Sequence, residues 1–373
     1  MASGGLHESF AAAFFRRSHH RWEWCVVPTI SGGALTIESG PDDEIHDASL
    51  ELDGILDSLP DVVRGWAGRS PEARHGDLDA LKTCGRRLTR ALFGERQHEF
   101  VREMKALGFP TISRITDGTL PQHLVEFCLL TDGDEEFFLG ARWPCIYRID
   151  NRSAPDLNAL YPALQVTERR IGYAEDDSLA SACTAHNSPQ RPDIEEIYLA
   201  MELARDSGTL IVLDALSESV GERDVAIFRD WMHDRHHVKH FNAHVEITER
   251  MFRMRVRSKA FVGKGAMPPA DRFDLTGSCV FLNACSSGRG SSSFRTSMAW
   301  YLKSQNAACV IYTTGPVDDT FATRFARSIY RHLDQGRRTL IEALTGARRE
   351  LLQDGHPMAL LYNFIGPDGY VLN

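Results

Sequence analysis

The sequence predicts an α/β fold: a mainly parallel central sheet with helices on both faces, preceded by a further α/β half. Three observations predict it. From residue 165 onward, short apolar runs alternate with segments of helical period, the order that sets parallel strands between crossover helices. Val280–Leu282, entered through Leu275-Thr276-Gly277, is a short apolar run that suits a strand buried on both faces. It leads into the small-residue loop Ser286-Ser287-Gly288, and such folds bind their ligands at the carboxyl ends of strands.

The first half reads as follows. Residues 1–20 are small, polar and basic. Trp22–Pro28 and Ala34–Ile37 are expected as strands around a Ser-Gly-Gly turn. Pro41–Ile45 is expected as an acidic loop, Leu50–Leu59 is ambiguous, and Ser70–Gly76 is expected as a surface loop. Leu81, Cys84, Leu88 and Leu92 recur at helical spacing, predicting a helix over 78–93. A second helix over 96–107 should stop at Gly108-Phe109-Pro110. Pro121–Leu130 and Phe137–Gly140 flank an acidic turn containing Asp132-Gly133, a hairpin signal. Cys145–Ile149 is a further apolar run. The polar, Pro-containing residues 151–164 are expected to link an N-terminal region, 1–150, to a second region, 165–373.

In the second region, strands are expected at Gln165–Ala174, Thr209–Leu213, Val238–Val245, the run before Cys285, Cys309–Thr314 and Met358–Ile365. Helices are marked by Ile194, Ile197, Tyr198 and Met201, by Val225, Phe228 and Met232, and by Phe294, Met298 and Leu302. Phe321, Phe325, Ile329 and Leu333 mark another, and 338–352 a last one. Phe252–Gly265 is basic and reads as a hairpin.

Two of these strands carry chemistry. One ends at His244 and the next leads to Cys285. A thiol alone is more often a core residue, because free cysteine is among the most buried types. Imidazole beside it changes the balance, since it can make the thiolate and protonate a leaving amine near neutral pH. Neighbouring parallel strands would bring the two together across a long sequence separation.

The strand His240-Phe241-Asn242-Ala243-His244, followed by Leu282-Asn283-Ala284-Cys285-Ser286-Ser287-Gly288, resembles the CHAT family. These are caspase-like cysteine peptidases related to caspases, separase and gingipains. Leu81–Phe93, the stretch from Leu120 through Glu126 to Gly140, Glu195-Glu196, Thr313–Asp319 and Tyr362–Gly366 also fit, although the usual Trp of the second stretch is missing. The resemblance implies a caspase-like sheet over 165–373, with 1–150 its diverged, non-catalytic portion. It implies a peptidase in which Cys285 attacks a peptide carbonyl and His244 supplies acid–base function. Backbone N–H groups of Cys285 and Val245 would hold the oxyanion. Relatives often carry Gly at the position of Val245. A helix beginning within 286–294 would add its dipole to the thiolate.

The resemblance further implies that the residue two before the nucleophile lines the pocket for the substrate residue before the cut. Here that residue is Asn283, which argues against a strictly basic preference. Asp176, Asp177 and Asp318 are candidates to supply charge to that pocket, and the strand ending at Thr313-Thr314 is the candidate edge for an extended substrate. Many relatives act in bacterial defence or cell death, cutting a partner such as a gasdermin-like pore former. The expected partners are therefore a protein substrate and a protein activator or sensor. A catalytically silent scaffold using the same cleft is the competing reading.

Composition narrows the rest. The net charge of −9 lacks the basic footprint that nucleic-acid binding needs. No apolar run reaches the ~20 residues needed to span a bilayer, and no secretory signal is read at the start, so a cytoplasmic protein is expected. The 8 cysteines show no CxxC pair, which suits reduced thiols. His233, His236, His237, His240 and His244 cluster in sequence but lack a known zinc spacing, so no metal and no cofactor are expected. His240 is expected to pack behind His244. Ser286-Ser287 lacks the Gly-x-Ser-x-Gly elbow, and Gly288–Ser293 lacks a Gly-Lys-Ser/Thr phosphate loop.

Overall fold

The strand–helix alternation after residue 165 closes onto the N-terminal half in one sheet. The computed structural model describes residues 13–18, 21–27, 33–63, 70–108, 111–116, 125–149, 165–166, 171–175, 210–212, 230–234, 236–247, 252–256, 260–262, 274–288, 297–334, 339–367 and 370–372. The first half contains β1 (Ala13–Ser18), β2 (Arg21–Val26), β3 (Leu35–Glu38), α1 (Asp42–Val63), α2 (Pro71–Phe93), α3 (Gln97–Ala106) and β4 (Ile112–Thr116). The hairpin β5 (Leu129–Asp132) and β6 (Glu135–Phe138), the single turn α4 (Leu139–Arg142) and β7 (Cys145–Ile149) follow. Next come β8 (Gln165–Val166), β9 (Ile171–Glu175), β10 (Leu210–Val212), β11 (Val238–Asn242), β12 (His244–Ile247), β13 (Phe252–Val256) and β14 (Ala260–Val262). The remainder is β15 (Cys279–Asn283), α5 (Met298–Ser304), β16 (Cys309–Thr313), α6 (Asp319–Asp334), α7 (Leu340–Gln353), β17 (Tyr362–Ile365) and β18 (Val371–Leu372).

The main sheet runs β10-β9-β11-β15-β16-β17-β7-β4-β1-β2-β3. Strands β10, β9, β11, β15 and β16 pair in parallel throughout. In chain order they follow a doubly wound pattern whose crevice opens at the carboxyl ends of the strands. β17, β7, β4 and β1 form a second parallel block. The two blocks meet where β16 pairs antiparallel with β17.

Strand alternation loads both faces with apolar side chains. Phe281 faces α6, its ring 6.3 Å from Tyr330. Val280, Leu282, Val310 and Tyr312 share a second buried cluster with Met298 and Leu302 of α5. Burial of these side chains on both faces is the main stabilising term, roughly 1.5–3 kcal/mol for each large one. In the first half, Trp24 of β2 stacks on Phe93 of α2 at 4.5 Å and meets Phe100 of α3 at 4.9 Å.

The clearest departure from the sequence reading is α1. Pro41–Ile45 is not an acidic loop beyond Pro41, and Leu50–Leu59 is not ambiguous: both lie in or against one helix whose first turn holds Asp42, Asp43 and Glu44. Carboxylates there favour the positive helix end, and Ile45, Ala48, Leu52, Leu56 and Leu59 form its buried stripe. Likewise Ser70–Gly76 is the start of α2, with Pro71 at the first helical position. Met358–Ile365 is not one strand: Pro357–Leu361 is a 3₁₀ turn that feeds the short β17. Gln165–Ala174 contains two strands, β8 and β9, in different sheets. The hairpin at 132–136 and the strand Cys145–Ile149 are observed as expected, and the helix expected over 96–107 spans Gln97–Ala106. The expected helix around 194–201 and the linker 151–164 lie outside the described residues. No described helix is long and apolar enough to cross a membrane.

Buried Arg348 of α7 ties β17 to the α4 turn of the N-terminal half. Its guanidinium donates to the Tyr362 carbonyl, to the Gly140 carbonyl at 3.0 Å and to Asn363 Oδ1 at 3.1 Å. Five N–H donors in a fixed fork suit this task in a way lysine cannot match.

Candidate active site

The site is built by the register of two parallel strands. β11 and β15 are in step from Val238 opposite Cys279 to Asn242 opposite Asn283. His244 and Cys285 each stand two residues beyond that last pair, at the same end of the sheet. The Ala243 amide reaches back to the Asn283 carbonyl at 3.4 Å, so the two strand ends stay joined past the ladder. Both side chains are half-buried. The strand expected to run through to Val245 in fact ends at Asn242. His244 opens β12, which leaves the main sheet for the small antiparallel sheet β12-β13-β14.

Cys285 begins a tight turn. Ser286 has φ of 52°, a left-handed conformation that costs a non-glycine residue about 1 kcal/mol or more. The Ser286 amide donates to the Gly315 carbonyl at 2.9 Å and the Gly288 amide to the Thr313 carbonyl at 2.7 Å. The Thr313 amide donates to Ser287 Oγ at 3.0 Å, and Thr313 Oγ1 donates to the Ala284 carbonyl at 2.5 Å. A Cβ on Gly288 would fall 2.2 Å from Tyr312 Cδ2, so only glycine fits. The amides of Ser286, Ser287 and Gly288 are all committed, which leaves the amide of Cys285 itself as the donor to consider for an oxyanion. Val245 lies in β12 opposite Met254.

The sulfur of Cys285 touches a residue that the sequence reading did not single out. Val317 offers its carbonyl at 3.3 Å and its amide at 3.4 Å. A neutral thiol uses the carbonyl as acceptor. A thiolate is repelled by the carbonyl and favoured by the amide. The backbone at Val317 thus holds either protonation state. Gly315-Pro316 was legible as a strand-ending turn, but nothing in sequence tells that the next amide meets a thiol.

The expected pocket residues are placed as follows. Asn283 is only 3% exposed. Its Nδ2 donates to the Ala322 carbonyl at 3.3 Å, and its Oδ1 accepts from the Tyr362 hydroxyl. The edge expected at Thr313-Thr314 is not free, because β17 pairs with β16 there and the Thr314 amide donates to the Leu361 carbonyl at 2.9 Å. An extended substrate cannot add to a strand already paired on both sides. Both threonine side chains are buried and hydrogen-bonded internally. Asp318 caps α6: its Oδ1 accepts from the Phe321 amide at 3.1 Å. Asp176 and Asp177 lie outside the described residues. The turn after Cys285 is not followed directly by a described helix; α5 begins at Met298, capped by Ser297.

The histidines disperse. His240 stacks on Phe281 at 4.4 Å, and its Nδ1 lies 3.0 Å from the Tyr330 hydroxyl. Burial lowers its pKa to about 3. It packs under α6, within the core behind the strand end. His236 is buried with Nδ1 2.9 Å from Lys239 Nζ. Among the described residues no three His, Cys, Asp or Glu side chains converge as metal ligands, and every described cysteine is a free thiol. A cavity of about 530 Å³ lined by Leu78, Phe137, Phe138, Arg142 and Leu352 lies elsewhere, and no residue of the Cys285 turn lines it.

A family model of the CHAT domain matches residues 269–363, the segment containing Cys285. A search of curated proteins finds no match. Among solved structures, the separase–securin complex of Saccharomyces cerevisiae has a TM-score of 0.55 at 8% identity, covering 95% of this chain and 30% of that chain. The complex of pro- and mature domains of RgpB from Porphyromonas gingivalis scores 0.45 at 10% identity, covering 90% and 79%. The Arg-specific cysteine proteinase gingipain R scores 0.45 at 11%, covering 81% and 76%. The chain therefore shares its fold with separase, a caspase-like architecture, and across residues 269–363 its sequence matches the CHAT domain.

Proposed function

We propose that this chain is a cysteine endopeptidase with His244 and Cys285 as its dyad. The observation that carries this reading is the β11–β15 register, which leaves both residues two steps past Asn242 and Asn283 at the open end of the sheet. The Cys285 thiolate attacks the scissile carbonyl and forms a tetrahedral oxyanion. His244 in its protonated form gives its proton to the leaving nitrogen, the C–N bond breaks, and a thioester to Cys285 remains. Water, deprotonated by neutral His244, then hydrolyses the thioester and returns the thiol. The amides of Cys285 and Val245 are the proposed oxyanion donors. The Val317 amide, 3.4 Å from the sulfur, supports the thiolate.

Asn283 and Thr313 spend their side-chain polar groups inside the protein beside the Cys285 turn, whereas Thr314 bonds Leu361 and Asp318 caps α6. Asp176 and Asp177, at the end of β9, remain the proposed source of pocket charge. The substrate is a protein partner, and the setting is a regulated, cytoplasmic protease in a defence or cell-death system, with a separate activator and a pore-forming target of the gasdermin type.

Mass spectrometry of new protein N-termini tests this in cells expressing the neighbouring genes with either the wild type or Cys285→Ala. Termini present only with wild type are expected. A partner that binds both forms equally and is cut by neither would make the chain a scaffold.

A further inference from the structure

The α2 helix, the β5–β6 hairpin, the α4 turn and α7 converge on a cavity of about 530 Å³. Leu78, Leu129, Phe138 and Ala141 form its buried wall, and Phe137 and Leu352 are only half-buried against it. Apolar surface left open in this way is scarce: among the described residues, Val27 and Leu50 are the only large hydrophobic side chains that stand exposed. The charges around the cavity do not cancel. The carboxylates of its lining, Glu135 and Glu136, are both engaged. Arg86, from outside the lining, donates to both oxygens of Glu136 at 2.8 Å. Arg142 donates to Glu135 at 2.9 Å and lies 4.5 Å over the Phe137 ring. Asp132 is shared between Arg142 and Lys105. Lys82 and Arg349 add their charges to the same lining, and Arg349 donates to the neutral carbonyls of Ala141 at 3.1 Å and Arg142 at 3.2 Å. Asp79, one turn before Lys82 on α2, offsets part of this charge through Arg86. A positive surplus remains, on a chain whose net charge is −9.

We propose that this cavity binds a small monoanionic amphiphile, an aliphatic or aromatic carboxylate whose apolar body lies against Phe137 and Leu352 and whose anion meets Lys82. The volume falls in the range of small-molecule sites, which are mostly apolar with a few polar groups that fix orientation. The apolar wall supplies affinity by removing hydrocarbon from water. The surplus cation selects the sign of the head group, and its half-buried setting at Lys82 is screened less by salt than a fully exposed charge. No residue of the Cys285 turn lines the cavity, so this site is independent of the peptidase reading.

The test titrates the full chain with octanoate, octanol and octylammonium by isothermal calorimetry. Octanoate should saturate one site. Octanol should bind about tenfold more weakly, and octylammonium should not saturate. Decanoate should bind roughly tenfold tighter than octanoate, the increment expected for two more buried methylenes. Lys82→Gln should weaken octanoate about five- to tenfold and leave octanol unchanged, whereas Lys82→Arg should keep most of the affinity. Leu352→Glu, which sets a carboxylate in the apolar wall, should abolish octanoate binding. Circular dichroism establishes that each variant folds; if Leu352→Glu does not fold, the Lys82 pair decides. No saturable octanoate binding, equal binding of the acid and the alcohol, or octanoate affinity unmoved by Lys82→Gln overturns the inference. So does a cavity that takes up acidic, leucine-bearing peptides but no free carboxylate, which would make it a protein-docking groove.

Discussion

The Tyr362 hydroxyl donates to Asn283 Oδ1, and Asn283 stands two residues before Cys285. Tyr362 itself lies flat on Phe325 of α6 at 3.7 Å and 7°. The floor beneath Cys285 is therefore held by β17, across two strands of the sheet. Tyr362→Phe keeps the stack but leaves a buried acceptor with one fewer donor. It should cost about 1–3 kcal/mol of stability, read by urea denaturation, and should slow alkylation of Cys285. Asn283→Asp, which a pocket-lining residue would turn into a preference for Lys or Arg, should instead destabilise the fold. The new carboxylate would face the Ala322 carbonyl in a buried site. A folded Asn283→Asp variant with a new basic preference would contradict this placement.

The turn after Cys285 makes opposite demands at two positions. Gly288→Ala would drive a methyl into Tyr312, an overpacking cost of about 1–3 kcal/mol. Ser286→Gly removes the left-handed strain and should be neutral or stabilising by up to about 1 kcal/mol. Thermal unfolding of the two variants should move in these different directions, and only Gly288→Ala should also depress Cys285 reactivity.

His240 predicts a pH dependence of stability. Its folded pKa, about 3, lies below the ordinary 6.5 because burial disfavours the charged ring. The unfolded chain therefore takes up its proton first as pH falls. The contribution is complete above 6.5 and is lost progressively below it, toward pH 3. His240→Gln cannot titrate, so the drop in urea midpoint between pH 7 and pH 5 should be smaller in that variant than in wild type.

Arg348→Met should be among the most damaging single changes, since it strips donors from the carbonyls of Gly140 and Tyr362 and from Asn363 Oδ1. A loss of roughly 2–4 kcal/mol is expected by differential scanning calorimetry. Arg348→Lys should recover little, because one ammonium cannot span all three acceptors.

What the sequence made legible follows physical range. The parallel core was readable because Cys279–Asn283 and Cys309–Thr313 are buried throughout, and such strands appear as continuous apolar runs. The strand ends at His244 and Cys285 could be paired in thought because both follow such runs. α1 was missed because its apolar stripe is diluted by acidic residues that belong to a helix start. The free edge expected at Thr313-Thr314 was wrong because β17, far along the chain and short, fills it. Val317 and Tyr362 were invisible for the same reason: backbone amides and long-range hydroxyl contacts leave no periodic trace.

The antiparallel seam between β16 and β17 also orders events at birth. A ribosome delivers Cys285 well before Arg348 and Tyr362, so the emerging thiol has neither its floor nor its clasp. Until β17 pairs with β16, the nascent chain carries the Cys285 turn without the Tyr362 hydroxyl on Asn283 and without the Thr314–Leu361 bond. The surroundings of that thiol are therefore completed only by the last strand of the main sheet to be synthesised.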